Sequence, residues 1–176
     1  AIDYGVDALG FVFAESKRKI SVEKPKEIIA HLPKEVLKVG VFVNEGKEMI
    51  EEIASSVGLT HVQLHGDETP DFCGSISYPI IKSISIHGDQ SLKRMEEYSC
   101  EYVLLDGPKG KYRGGNGTAF DWTCISANEF KNKKVILAGG LHVDNVEEAI
   151  SLINPYMVDV SSGVETEGKK DLDKIQ

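Results

Sequence analysis

The stretch from Lys133 to Glu165, KKVILAGGLHVDNVEEAISLINPYMVDVSSGVE, constrains the fold of this chain more than any other. It reads as strand, glycine turn, helix, strand, glycine turn. Val135-Ile136-Leu137-Ala138 is a short apolar run, the pattern of a parallel strand buried on both faces. Gly139-Gly140 follows at once. Asp144 or Asn145 is placed to cap a helix whose Val146, Ala149, Ile150 and Ile153 recur at helical spacing. Tyr156 to Val160 reads as the next strand, and Ser161-Ser162-Gly163 closes it. Without a Cβ, backbone N–H groups can approach an anion closely. Two such turns, one βα unit apart, point to a phosphate cradle; plain strand-to-helix turns would use the same residues. In a β/α barrel the loops after the last two strands are where phosphate usually sits.

The same alternation runs through the chain upstream. Strands are expected at Asp7 to Phe13, Val36 to Val43, Thr60 to Leu64, Pro79 to Ile84 and Tyr102 to Leu105. Helices are expected from Val22 to Leu32 behind a Ser21 cap, and from beyond Asn44 to Val57 with Met49, Ile50, Ile53 and Ala54 buried. Others are expected around Pro70 to Ile76, from Asp89 to Tyr98, and from Asp121 onward through Trp122. Regular β-α alternation gives a parallel sheet. The chain opens on Ala1 to Tyr4, which reads as the last turn of a helix with Gly5 as its C-cap. KKDLDKIQ reads as the opening turns of another. The chain is therefore expected to be a piece of a longer protein, missing the strand before its first helix. Seven strands plus that one make the eight of a (βα)8 TIM barrel. An open sheet binds ligands at one switch point, whereas here polar or glycine features end nearly every strand. A single barrel domain over residues 1–176 is the expectation.

Composition narrows the function. A formal net charge of −8, interspersed along helix faces, argues against nucleic acid as a partner. No apolar run approaches the ~20 residues of a membrane span. Cys73, Cys100 and Cys124 lie far apart and lack metal-ligand or disulfide spacing, which fits a reducing cytosol.

Asp106 is the foremost catalytic candidate. It follows Val103-Leu104-Leu105, so its carboxyl is expected at the barrel mouth against apolar walls. Burial raises a carboxyl pKa and keeps its proton, which suits a general acid; an Asp capping its own loop is the alternative. Arg18, in SKRKI, offers a guanidinium that could clamp a carboxylate with two hydrogen bonds, or is one more solvated base. His65 ends a strand and could hydrogen-bond substrate or serve as an acid or base, or be structural. Asp159 and Lys82 are charges inside apolar strands and each needs a partner. Gly114, Gly115 and Gly117, in the long loop GPKGKYRGGNGTAF, could form a lid or hinge.

Together DALGFVFAESKRKI, VGVFVN, HVQLHGDE, YVLLDG with GGNG and FDW, LAGGL, and VDVSSGVETEGKKD closely resemble the phosphoribosylanthranilate isomerase family of tryptophan biosynthesis, with a Bacillus-like flavour. The resemblance spans nearly the whole chain. It implies a (βα)8 barrel that turns an aminoaldose into an aminoketose by an Amadori rearrangement, with no cofactor. It makes Asp106 the general acid and Arg18 the holder of the anthranilate carboxylate. His65 and Asp159 match residues near the substrate, and Gly139, Gly140, Ser162 and Gly163 match the phosphate cup. The family's general base is a cysteine in a KICG motif ending the first strand, which would lie ahead of Ala1. Cys73 and Cys124 are expected on outer helices, and Cys100 at the far end of its strand, so none replaces it. A chain without that strand is expected to be inactive and to associate through its sheet edges. A non-catalytic phosphosugar-binding barrel is the alternative. Indole-glycerol-phosphate synthases and ribulose-phosphate epimerases fit less well, lacking here their lysines and metal-ligand histidines.

Overall fold

The computed structural model of the chain describes residues 1–86, 93–107, 122 and 133–176. The expected lid glycines Gly114, Gly115 and Gly117, and Cys124, lie outside the described residues. The fold is α/β. Strands β1 (Ala8–Val12), β2 (Leu37–Phe42), β3 (His61–Leu64), β4 (Ile80–Ser85), β5 (Tyr102–Asp106), β6 (Lys134–Leu137) and β7 (Met157–Val158) form a seven-stranded sheet in chain order. Every described pairing among them is parallel. Helices α1 (Glu23–Ile29), α2 (Lys47–Val57), α3 (Pro70–Ser75), α4 (Val146–Ile153) and α5 (Leu172–Ile175) alternate with them or follow. Residues 93–95 are also helical, within the helix expected before β5. The chain divides into two compact units, Ala1–Lys82 and Ser83–Gln176, and the division falls inside β4.

In the first unit the expected opening turn is a 3-10 turn, Ile2–Tyr4, and Gly5 caps it at φ 74°. Gly40 governs the packing of β2. A Cβ there would lie 2.3 Å from Leu59 Cδ1 and 2.9 Å from the Phe42 ring, so a larger residue would have to push those side chains off the strand. Phe42 stacks on Phe13 with ring centroids 5.3 Å apart. Helix α2 ends at Gly58, whose φ of 83° is costly for any residue with a Cβ. Its buried stripe is Ile50, Ala54 and Val57, spaced i, i+4, i+7. Met49, expected inside, is exposed, because it sits one helical step off that stripe. Helix α1 is shorter than expected, with Val22 rather than Ser21 at its N-cap; Ser21 instead bonds the Glu23 side chain. Thr69 caps α3 by accepting from Phe72 N–H, and Pro70 takes the first helical position. Strand register fixes the place of Lys82. Gln63 pairs with Ile81 and Leu64 with Lys82, so Lys82 lies beside the carboxyl end of β3.

In the second unit, β5 and β6 are the apolar runs that the sequence announced. Val103, Leu104, Leu105, Val135, Ile136 and Leu137 are all buried, as in a parallel strand covered on both faces. Ala149 and Ile153 anchor α4, while Ile150, expected on the same face, is exposed. At the amino ends of β5 to β7 the Lys134 ammonium lies 5.1 Å from the Tyr102 ring and 4.9 Å from the Tyr156 ring. The Glu101 carboxylate, and then the Tyr102 hydroxyl, hold Lys134 above the usual lysine range. Past β7 a small antiparallel hairpin, β8 (Glu165–Thr166) with β9 (Lys169–Lys170), was not foreseen. Its turn places Glu167 at φ 52° and Gly168 at φ 77°, the two positive values that a two-residue hairpin loop requires. Asp171 then caps α5 by accepting from Asp173 N–H.

Candidate active site

The second unit gathers Asp106 and both glycine turns. Asp106 is the last residue of β5 and is 6 % exposed. Its Oδ1 accepts from Gly107 N–H at 2.9 Å, so the carboxylate does cap its own loop. Gly139 comes against the same atoms. Its φ is 84°, and a Cβ there would lie 2.4 Å from Gly107 N and 2.8 Å from Asp106 Oδ1. Only a glycine can bring the turn after β6 this close to the end of β5. Gly140 is also left-handed, at φ 69°. The second turn packs on the first: Gly163 bridges to His142, and a Cβ on Gly163 would lie 1.8 Å from the Leu141 carbonyl oxygen. Ser162 stands beside it, its carbonyl accepting from Glu165 N–H.

Asn145, foreseen only as a helix cap, holds this arrangement. Its Oδ1 accepts from His142 N–H at 2.8 Å and its Nδ2 donates to the Gly140 carbonyl at 3.0 Å. It closes the glycine turn from behind instead of capping α4 with its side chain. The sequence signal was an asparagine five residues past a Gly-Gly pair, which also fits an ordinary cap. Asp159 departs from expectation. It lies past the end of a two-residue β7 and is exposed, not a carboxylate inside a buried apolar strand. Its backbone N–H still extends the ladder to Leu137 O.

In the first unit, Arg18 is half-buried in the loop after β1, where its N–H donates to Ser16 Oγ. His65 follows β3, half-buried, with its N–H on Phe42 O and its Nδ1 3.1 Å from Gln63 Nε2. The partner that Lys82 needs is Glu68. Both are buried, and Lys82 Nζ lies 2.8 Å from Glu68 Oε2. Burial works to raise the Glu68 pKa, but the Lys82 ammonium and the Asn44 N–H overcome it and hold the carboxyl below its usual range. Asn44, at φ 50°, ends β2 and accepts from Asp67 N–H through Oδ1. In the sequence Glu68 stands out only as part of the HGDE strand end. Nothing in spacing alone pairs it with a lysine on the next strand.

Cys73 is buried on α3, and Cys100 is half-buried ahead of β5, away from the carboxyl ends of the strands, as expected. Among the described residues no group of three or more His, Cys, Asp or Glu could hold a metal ion, and no helix is long and apolar enough to cross a membrane.

Comparison with known proteins identifies the family. The family model described as N-(5'phosphoribosyl)anthranilate (PRA) isomerase matches residues 1–176. A Bacillus cereus (strain G9842) protein named N-(5'-phosphoribosyl)anthranilate isomerase is 55% identical over 178 residues, covering 100% of this chain and 87% of its own length. The crystal structure of phosphoribosyl anthranilate isomerase from Thermotoga maritima superposes with a TM-score of 0.90 at 42% identity, over 99% of this chain and 86% of that one. A crystal structure of phosphoribosyl anthranilate isomerase in complex with reduced 1-(o-carboxyphenylamino)-1-deoxyribulose 5-phosphate gives a TM-score of 0.86 at 41% identity, with the same coverage. Matched by that family model over residues 1–176 and 55% identical to such a relative over its whole length, the chain belongs to the N-(5'-phosphoribosyl)anthranilate isomerase family.

Proposed function

We infer that this protein is an isomerase of tryptophan biosynthesis that converts N-(5'-phosphoribosyl)anthranilate into 1-(2-carboxyphenylamino)-1-deoxyribulose 5-phosphate. The observation that carries the reading is Asp106, a buried carboxyl at a strand end set directly against the first glycine turn. In this reading Asp106 gives a proton to the furanose ring oxygen. The anilino nitrogen lone pair expels that oxygen from C1, and a C1=N Schiff base forms. A base then removes the C2 proton, the electron pair moves into C1=C2, and nitrogen becomes neutral. The resulting enolamine takes a proton at C1, loses the one on its C2 hydroxyl, and is the ketone.

The remaining roles follow the chemistry of each group. Backbone N–H groups around Gly139, Gly140, Ser162 and Gly163 hold the phosphate. Arg18 clamps the anthranilate carboxylate. His65 and Asp159 contact substrate. The base is a cysteine, as in the family, and neither Cys73 nor Cys100 is placed for it. A single (βα)8 barrel working in the cytosol completes the reading.

Loss of anthranilate-type fluorescence from freshly made substrate tests it. The 176-residue chain is assayed beside the same chain joined to the first strand of the Bacillus cereus relative. Turnover only by the joined chain supports both the isomerase and the cysteine base. Turnover by the 176 residues alone overturns the base assignment. Phosphosugar binding without turnover by either makes the protein a binder.

A further inference from the structure

The hairpin β8–β9 is not used by the isomerase chemistry, yet its contacts converge on the second glycine turn. Glu165 and Lys170 stand directly opposite each other across the hairpin. The Lys170 ammonium donates to the Ser161 carbonyl at 2.7 Å and lies 3.1 Å from Glu165 Oε1. One side chain thus ties the residue before Ser162-Gly163-Val164 to the residue after it. Asp171 N–H donates to the Val164 carbonyl at 2.9 Å, and Lys174 Nζ to the Glu165 carbonyl at 2.9 Å. Within the turn, Glu165 N–H donates to the Ser162 carbonyl at 3.0 Å. The carbonyls of Ser161, Ser162, Val164 and Glu165 are therefore all drawn to donors of the turn itself, the hairpin or α5. On its other side the turn has no slack. A Cβ on Gly163 would lie 2.8 Å from His142 Cα, besides its clash with the Leu141 carbonyl.

A carbonyl oxygen is the negative end of the peptide dipole. A turn holds an anion when its carbonyls point away and its N–H groups point in. A turn already in that shape avoids the cost of ordering it on binding. We propose that Lys170 is a positioning residue for the phosphate-binding turn, its ammonium clasping Ser161 to Glu165 so that the turn keeps the shape in which it takes a phosphate group. The anion rests on the isomerase reading; the clasp does not. Lys169 supplies the comparison. It carries the same charge on the same strand and is exposed. Adjacent residues of a strand point to opposite faces, so its side chain cannot share the tie.

Hydrogen exchange followed by NMR on the 176-residue chain tests the clasp. Lys170→Met is expected to speed exchange at the Val164, Glu165 and Asp171 amides, which are bonded in and around the turn. Lys169→Met should leave those rates unchanged, and Lys170→Arg should restore them, with circular dichroism the same for all three. Titration with inorganic phosphate tests the anion. Its Kd should rise about 3- to 10-fold in Lys170→Met, the scale of one charge-assisted hydrogen bond at a half-exposed site, and stay put in Lys169→Met. In the joined chain Lys170→Met should raise KM and leave kcat in place, because the lost binding is common to substrate and transition state. Equal losses of phosphate affinity in the two methionine variants would reduce Lys170 to a distant charge and overturn the proposal. Wild-type exchange rates in Lys170→Met would do the same. Were the wild type to bind no phosphate, the phosphate reading would fail while hydrogen exchange still decided the clasp.

Discussion

At the scale of single residues, Glu68 ties the site to pH. Its folded pKa lies below the ordinary glutamate value, held there by the Lys82 ammonium and backbone N–H donors against the opposing effect of burial. A carboxyl depressed in the folded state contributes stability that is present above its unfolded pKa and lost as pH falls through the folded one. Urea unfolding between about pH 3 and pH 7 should therefore show the wild type losing more stability below about pH 4.5 than Lys82→Met/Glu68→Leu does. Lys82→Met alone strands a buried carboxylate and should cost about 3–5 kcal/mol at pH 7 in the same measurement. Asp106→Asn keeps the hydrogen bond from Gly107 N–H but has no acid proton to give. In the joined chain its kcat should fall at least about 100-fold in the fluorescence assay, with folding intact by circular dichroism. Unchanged turnover would remove Asp106 from the mechanism.

Among elements, the turns carry more than the helices. Gly139 combines a φ of 84° with a van der Waals approach to Asp106 that no side chain allows. Gly139→Ala should cost about 1–3 kcal/mol in strain and raise KM for the phosphorylated substrate. Asn145→Ala should raise that KM too, because the Gly140–His142 turn loses both its side-chain ties. Phosphate inhibition constants measured on both variants check this; values equal to wild type would detach the turn from phosphate. Helix surfaces are permissive by comparison. Met49→Lys on the exposed face of α2 should change stability by no more than about 0.5 kcal/mol, since Ile50, Ala54 and Val57 already fill the buried side.

On the scale of the whole molecule, β1 and β7 close the strand order, each with one neighbour among the described strands. Unpaired strand edges recruit further strands. The 176-residue chain is expected to show a mass that rises with concentration in light scattering, and a monodisperse monomer across the range would refute this.

Periodicity alone settled the class of this protein and the order of its parts. Runs such as Val103-Leu104-Leu105 and Val135-Ile136-Leu137 have no amphipathic option, so they become buried parallel strands wherever the chain puts them. Glycine pairs directly after such runs mark the turns, because positive φ is a local demand that sequence records. Asp106 was legible for the same reason, as a charge abutting an apolar strand. The hairpin after β7 was missed because Glu167-Gly168 is a weak turn signal and its strands are two residues long. The exposure of Met49 and Ile150 was missed because helical spacing permits several faces, and neighbours choose among them. The roles of Glu68 and Asn145 depend on which groups register and turn geometry bring within 3 Å or so of one another. Lys82 needed a partner by its residue type; that the partner is Glu68 follows from the β3–β4 register, which only the tertiary structure sets.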